Sequence, residues 1–273
     1  MLIARHLRRL LATFCTVLGL LLPSTIATAQ IGYTVQSNGN DHLYAVDMLT
    51  GNATDLGPVR FLDAEGLAWY GERLLAIGGT INELWDITSP PGFVIGPTGD
   101  RRGLDAGLAT HPVTGSIYNI QGTWGASYLY SVNPATGAAT FIGGSEVFAD
   151  ALAISSSGAA FTVDVMSTIS LYNVDLATGA LSLVGPLGIN AYDQAGLDFD
   201  CDGVLWMLLS SGRIYTINTA TGAATFVSQV NIGGDPIMGF EGLAIKCEVP
   251  EPGVFVVAAA FGLVGLCCMR RRR

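Results

Sequence analysis

Basic residues are almost missing from the middle of this chain. Of the 13 lysines and arginines in 273 residues, seven lie in the two ends. Residues 30–248 keep only Arg60, Arg73, Arg101, Arg102, Arg213 and Lys246, against 21 acidic residues, a net charge of −15. So acidic a surface repels nucleic acid and anionic lipid, and neither is an expected partner of the body. Histidine is scarce too: His42 and His111 are the body's two, and neither stands in a metal-ligand spacing. No serine has a nucleophile-elbow context. Ser155-Ser156-Ser157-Gly158 reads as a loop, and Gly78-Gly79 and Gly233-Gly234 have no helix behind them to cradle a phosphate. No long amphipathic helix interrupts the pattern, and no catalytic motif emerges. Only two cysteines remain in the body, Cys201 and Cys247, while Cys267 and Cys268 fall in an apolar tail.

What is present begins with the two ends. Arg5, Arg8 and Arg9 precede the apolar stretch Leu10 to Leu22, and Ala27-Thr28-Ala29 supplies a small-x-small cleavage site before Gln30. That order predicts a secretory signal peptide over residues 1–29, excluded from the fold and removed by signal peptidase. At the other end Val249-Pro250-Glu251-Pro252 leads into an apolar run, Gly253 to Cys268, closed by Met269 and Arg270, Arg271, Arg272 and Arg273. About 16 apolar residues at ~1.5 Å rise reach roughly 24 Å, and snorkelling arginines extend this toward a bilayer's ~30 Å core. The predicted transmembrane helix leaves the arginines cytoplasmic and everything before Val249 outside. Residues 249–273 closely resemble the PEP-CTERM sorting signal of Gram-negative bacteria. That resemblance implies processing by exosortase near the Pro-Glu-Pro element, membrane attachment through the helix until then, and delivery to the cell envelope, outer surface or extracellular matrix.

Internal repetition organises residues 30–248. A Gly-Leu-Ala-like element recurs with its leucines at 67, 108, 152, 197 and 243, spaced 41, 44, 45 and 46 residues apart. In step with it runs an apolar-aromatic element at Tyr44, Trp85, Tyr130, Tyr172 and Tyr215. Four copies continue into Thr-Gly, at residues 50–51, 136–137, 178–179 and 221–222, and the second copy has Ser89-Pro90-Pro91-Gly92 instead. Each unit reads as four short strands with period-two alternation, and Asx and Thr-Gly supply turn chemistry between the third and fourth. Units of this length with four strands predict an all-β fold of propeller blades. The third-strand aromatics are expected to pack between blades.

Five first strands and five third strands predict five blades. The chain enters at a second strand, Ile31 onward, and an unmatched first strand lies at the other end, Gly242 to Lys246. The closing strand is therefore expected to complete the N-terminal blade, leaving no exposed sheet edges at the seam. Cys201 and Cys247 each follow their repeat leucine by four residues, in the last and the closing units. A disulfide between them is expected to staple the ring, and an exported compartment permits it. The body resembles bacterial propeller-repeat proteins carrying Leu-Tyr-x-Val-Asp/Asn-x-x-Thr-Gly-x-Ala-Thr repeats, a likeness that implies fold and no activity.

Two groups of acids stand out. Asp198, Asp200 and Asp202 with Gly203 form Asp-x-Asp-x-Asp-Gly, which reads either as a hairpin turn or as a calcium site; position twelve is Leu209, with no oxygen to offer. Asp198 occupies a slot that is alanine in the other four copies. Glu65, Asp105, Asp150 and Glu241 precede or open the first strands and are expected at one mouth of the central channel. The expected function is a non-catalytic exported propeller, structural or binding, with polysaccharide as the ligand class that the tail resemblance implies. The alternative is a secreted metal-dependent hydrolase or lactonase at the channel mouth, an analogy at the level of fold alone.

Overall fold

The computed structural model describes residues 30–247 except 38–40, 61–62, 79–81, 100–104 and 191–192. The expected signal peptide, residues 1–29, and the expected sorting tail, residues 249–273, lie outside the described residues. In chain order the strands are β1 (Ile31–Gln36), β2 (His42–Asp47), β3 (Ala53–Pro58), β4 (Ala64–Tyr70), β5 (Arg73–Gly78), β6 (Glu83–Asp86) and β7 (Phe93–Pro97). Then come β8 (Asp105–Thr110), β9 (Ile117–Thr123), β10 (Ala126–Val132), β11 (Ala139–Ser145), β12 (Ala153–Ile154), β13 (Ala160–Asp164), β14 (Ser170–Val174) and β15 (Leu181–Pro186). The last are β16 (Ala195–Phe199), β17 (Leu205–Leu209), β18 (Arg213–Ile217), β19 (Ala224–Gln229), the small hairpin β20 (Asn231–Ile232) and β21 (Asp235–Pro236), and β22 (Phe240–Ile245).

They form five antiparallel four-stranded sheets, a five-bladed propeller. Blade one is β22-β1-β2-β3, and blades two to five take β4–β7, β8–β11, β12–β15 and β16–β19. The closing strand pairs with the entering one, Tyr33 opposite Ala244 and Gly32 opposite Ile245. Thr34 adds a side-chain hydrogen bond, its Oγ1 donating to the Gly242 carbonyl at 2.8 Å. The chain's end thus fills the place its beginning leaves open.

The core is divided into five layers, one per blade interface. Leu197, Leu205 and Met207 meet Phe161, Val163 and Leu171 between blades four and five. Tyr44, Val46 and Leu243 meet Trp206, Leu208 and Ile214 between five and one. The remaining three interfaces have equivalent clusters. Each fully buried aliphatic contributes roughly 1.5–3 kcal/mol, so stability is spread around the ring. The third-strand tyrosines 44, 130, 172 and 215 are buried, with Tyr44 and Tyr215 in interblade clusters, and Trp85 is half-buried.

Glycine decides how closely blades approach. At the axis, a Cβ on Gly66 would stand 2.7 Å from the Leu108 nitrogen, and one on Gly242 would stand 2.8 Å from the Glu65 carbonyl oxygen. The Thr-Gly turns have a second role at the rim. Thr136-Gly137 of blade three lies backbone against backbone on Gly96 of blade two, Thr178-Gly179 on Gly143, and Thr221-Gly222 on Gly185. Turn chemistry alone accounts for the positive φ of Gly137, Gly179 and Gly222, but not for glycine at 96, 143 and 185. Blade two departs here as its sequence does: Pro90 sits 3.7 Å from where a Cβ on Gly57 would be, and the Pro91 carbonyl accepts from the Arg60 amide at 3.0 Å.

One first strand is shorter than the repeat predicts. In blade four the ladder covers only Ala153 and Ile154, although the repeat element begins at Asp150. The slot that is glycine in the other four blades is Ala151 here, packed in the core cluster between blades four and five.

Candidate functional site: an acid-lined channel mouth

The five innermost strands run in one direction around the axis, so their starts share one mouth and their ends the other. Close packing of the Gly-Leu backbones leaves about 10 Å³ between them, room for about one water. The propeller therefore has two separate mouths rather than a through-channel.

The starting ends carry acids. Glu65, Asp105, Asp150 and Glu241 all stand here, close enough for their charges to act on one another. Three are buried and Asp105 is half-buried. Two of them have donors supplied by blade five, across the mouth for Asp105 and from next door for Asp150. The Gln194 amide donates to Asp105 Oδ1 at 2.9 Å, and the Ala195 N–H donates to Asp150 Oδ2 at 2.7 Å. Sequence reasoning missed further members of the ring. Asp63 lies two residues before Glu65; its N–H donates to Asp41 Oδ2 at 3.1 Å. Asp193 accepts from the Ser211 N–H at 3.0 Å. The signal was available in Asp63-x-Glu65, a second acid just ahead of the strand. Asp63 holds a left-handed backbone, φ 71°, a conformation that aspartate tolerates better than most residues.

Asp63, Glu65 and Glu241 converge. One carboxylate oxygen from each lies within 4.8 Å of the others, the sole such group of acids, histidines or cysteines among the described residues. Burial, and then the charge of Glu241 followed by those of Asp105, Asp63 and Asp150, hold Glu65 well above the usual carboxylate range. Burial and the charge of Asp63 push Glu241 up to about 8, opposed by a hydrogen bond from Glu65. Asp150 is likewise held well above its usual range, by burial and then by Asp105. Asp105 is raised by burial, with the Gln194 hydrogen bond opposing. At neutral pH this mouth keeps protons that water would remove, because burial and mutual repulsion both disfavour the charged forms.

The ending side differs in kind. A depression of about 530 Å³ is bordered by Trp69, Tyr70, His111, Asp198, Lys246 and the disulfide. Cys201 and Cys247 are bonded, Cα to Cα 5.3 Å, joining blade five to the closing strand. The Lys246 ammonium lies 4.7 Å over the Trp69 ring and 2.7 Å from Glu72. His111 spends its Nδ1 on the Val113 N–H at 3.2 Å, and His42 pairs with Asp55 at 2.9 Å on the surface.

The Asp-x-Asp-x-Asp-Gly segment lies here, and its three carboxylates do not converge. Asp200 Oδ1 accepts from the N–H groups of Asp202 and Val204 at 2.9 and 2.8 Å, and Oδ2 accepts from the Trp206 indole at 2.8 Å. Those donors occupy the oxygens that a calcium ion would need, and Asp202 is exposed to solvent. Of the two sequence readings, the geometry is that of a turn. Asp198 has a separate role. Its Oδ2 accepts from the Ile245 N–H at 2.7 Å, coupling blade five to the closing strand. Burial pushes its carboxyl up to about 7 against the opposing hydrogen bonds from Ile245 and Phe199. The other four blades carry alanine in that slot.

No family model and no curated protein matches this chain. Solved structures show the fold. The chain is similar to a chain in a nidogen/laminin complex, at 12% identity and a TM-score of 0.53, covering 80% of this chain and 98% of that one. It is also similar to a putative gluconolactonase, at 14% identity and a TM-score of 0.51, covering 82% and 83%. At such identities the likeness is one of β-propeller architecture alone.

Proposed function

We propose that this chain is an exported β-propeller, carried to the cell envelope by its C-terminal sorting tail, that acts there as a non-catalytic binding module. Its ligand-facing end is the acid-lined mouth, and polysaccharide is the ligand class. The observation that carries the reading is the separation of the two mouths. Gln30 and Cys247 lie together at the ends where Gly32 pairs with Ile245, and Glu241 lies at the opposite end of the same strand pair, beside Gln36. Attachment through the residues beyond Cys247 would set the carboxylates at the end of the propeller farther from the membrane. Carboxylates accept hydrogen bonds from sugar hydroxyls, a common requirement of glycan recognition.

The test is a glycan array with the purified protein, repeated with Asp105→Asn combined with Asp150→Asn. Retention of polysaccharide by the unchanged protein, reduced in the double variant, is the expected result. Silence across acidic and neutral polysaccharides removes the matrix-binding reading.

One observation favours a second reading, a metal-dependent hydrolase or lactonase: the convergence of Asp63, Glu65 and Glu241 within 4.8 Å. Lactone turnover that requires added divalent metal and disappears in Glu65→Gln would establish it in place of the binding module.

A further inference from the structure

We propose that Asp63, Glu65 and Glu241 form a site for one hard divalent cation, calcium in particular, which ties the closing strand to blade two. Two oxygens bound to one calcium ion stand at most about twice its 2.3–2.6 Å bond length apart, and this trio meets that limit at 4.8 Å. The donors are all carboxylate oxygens, with no histidine or cysteine among them, a set that suits calcium over zinc or copper.

An independent observation points to a missing partner. Glu241 is 8% exposed, and its Oε2 has no hydrogen-bond partner. Elsewhere at this mouth the acids are met by protein donors: Asp105 by Gln194 and Asp150 by Ala195. A buried carboxylate oxygen with no donor is costly unless something positive meets it.

The position gives the ion a purpose. β22 is fixed to blade five by the disulfide and the Asp198 hydrogen bond. On its other flank, Glu241 faces Asp63 and Glu65 of blade two. An ion there would lock the seam strand on its second side, and it stands whether or not the mouth also holds polysaccharide.

The rival is a proton shared between Glu65 and Glu241 with no metal involved. Titration calorimetry and thermal unfolding of the purified, EDTA-treated protein with calcium chloride distinguish the two. One ion per chain and a rise in Tm are expected. Glu241→Gln and Asp63→Asn should each weaken binding by about 10-fold or more, while Asp202→Asn, an exposed acid at the other end, should leave it unchanged. Asp63 is only half-buried, so its variant keeps the test open even where Glu241→Gln folds poorly. Absence of heat and of any Tm shift with calcium, magnesium or manganese up to about 10 mM overturns the proposal. So does undiminished binding by both variants.

Discussion

The two mouths are built from opposite ends of the same five strands, yet they treat buried acid differently. On the side of the termini, Asp198 and Asp200 are each met by backbone N–H groups or an indole, and a disulfide closes the seam beside them. On the far side, acids gather until they act on one another, and Glu241 keeps an oxygen with no donor. A buried carboxylate whose two oxygens are both met by donors, as at Asp200, is a structural joint. One that faces other carboxylates holds a proton or waits for a cation, which is the behaviour of a site.

The contrast breaks most sharply at the lock on the terminal side. Replacing Cys201 and Cys247 by serine removes a cross-link spanning 46 residues, a loss of about 4 kcal/mol in the chain-entropy account. Thermal unfolding should fall by roughly 10 °C. An unchanged Tm would mean that β22 stays in place without the bridge.

pH should separate the mouths next. Glu241 titrates higher in the fold, at about 8, than its ordinary 4.5. Its contribution is therefore complete below about 4.5 and is lost as pH rises through about 8. Asp198, raised from 3.8 to about 7, loses its contribution over a lower window. Metal-free protein should thus lose on the order of 10 °C in Tm between pH 5 and pH 9. Glu241→Gln should flatten the upper part of that slope, and Asp198→Asn the lower part. A slope indifferent to both would contradict the assignment.

Removing the Asp198 acceptor altogether, as Asp198→Ala, leaves the Ile245 N–H without its partner and should cost about 1–3 kcal/mol by denaturant unfolding. Asp202→Asn, on the same turn but exposed, should stay within about 0.5 kcal/mol.

Much of the architecture was legible from sequence because a propeller repeats its chemistry at each blade. The leucine and aromatic spacings pointed to five blades, and the unmatched strand at Gly242 pointed to closure onto Ile31. What the repeat concealed was contact between units. Gly96, Gly143 and Gly185 look like ordinary strand glycines until the neighbouring Thr-Gly turn is seen lying against them. The mouth acids Glu65, Asp105, Asp150 and Glu241 were visible as residues opening the first strands. Asp63 was missed although Asp63-x-Glu65 offered a signal, and Asp193 carried none, because both sit ahead of the repeating element, where copies differ. The role of Asp198 was unreadable: its departure from alanine was plain, but its partner, the Ile245 N–H, lies 47 residues away.

Anomalous diffraction from crystals of the protein grown with manganese, a stand-in for calcium with a usable signal, tests the account most directly. One peak bonded to Asp63, Glu65 and Glu241 is the expected result. A peak at Asp198 and Asp202 instead, or none at either mouth, would contradict it.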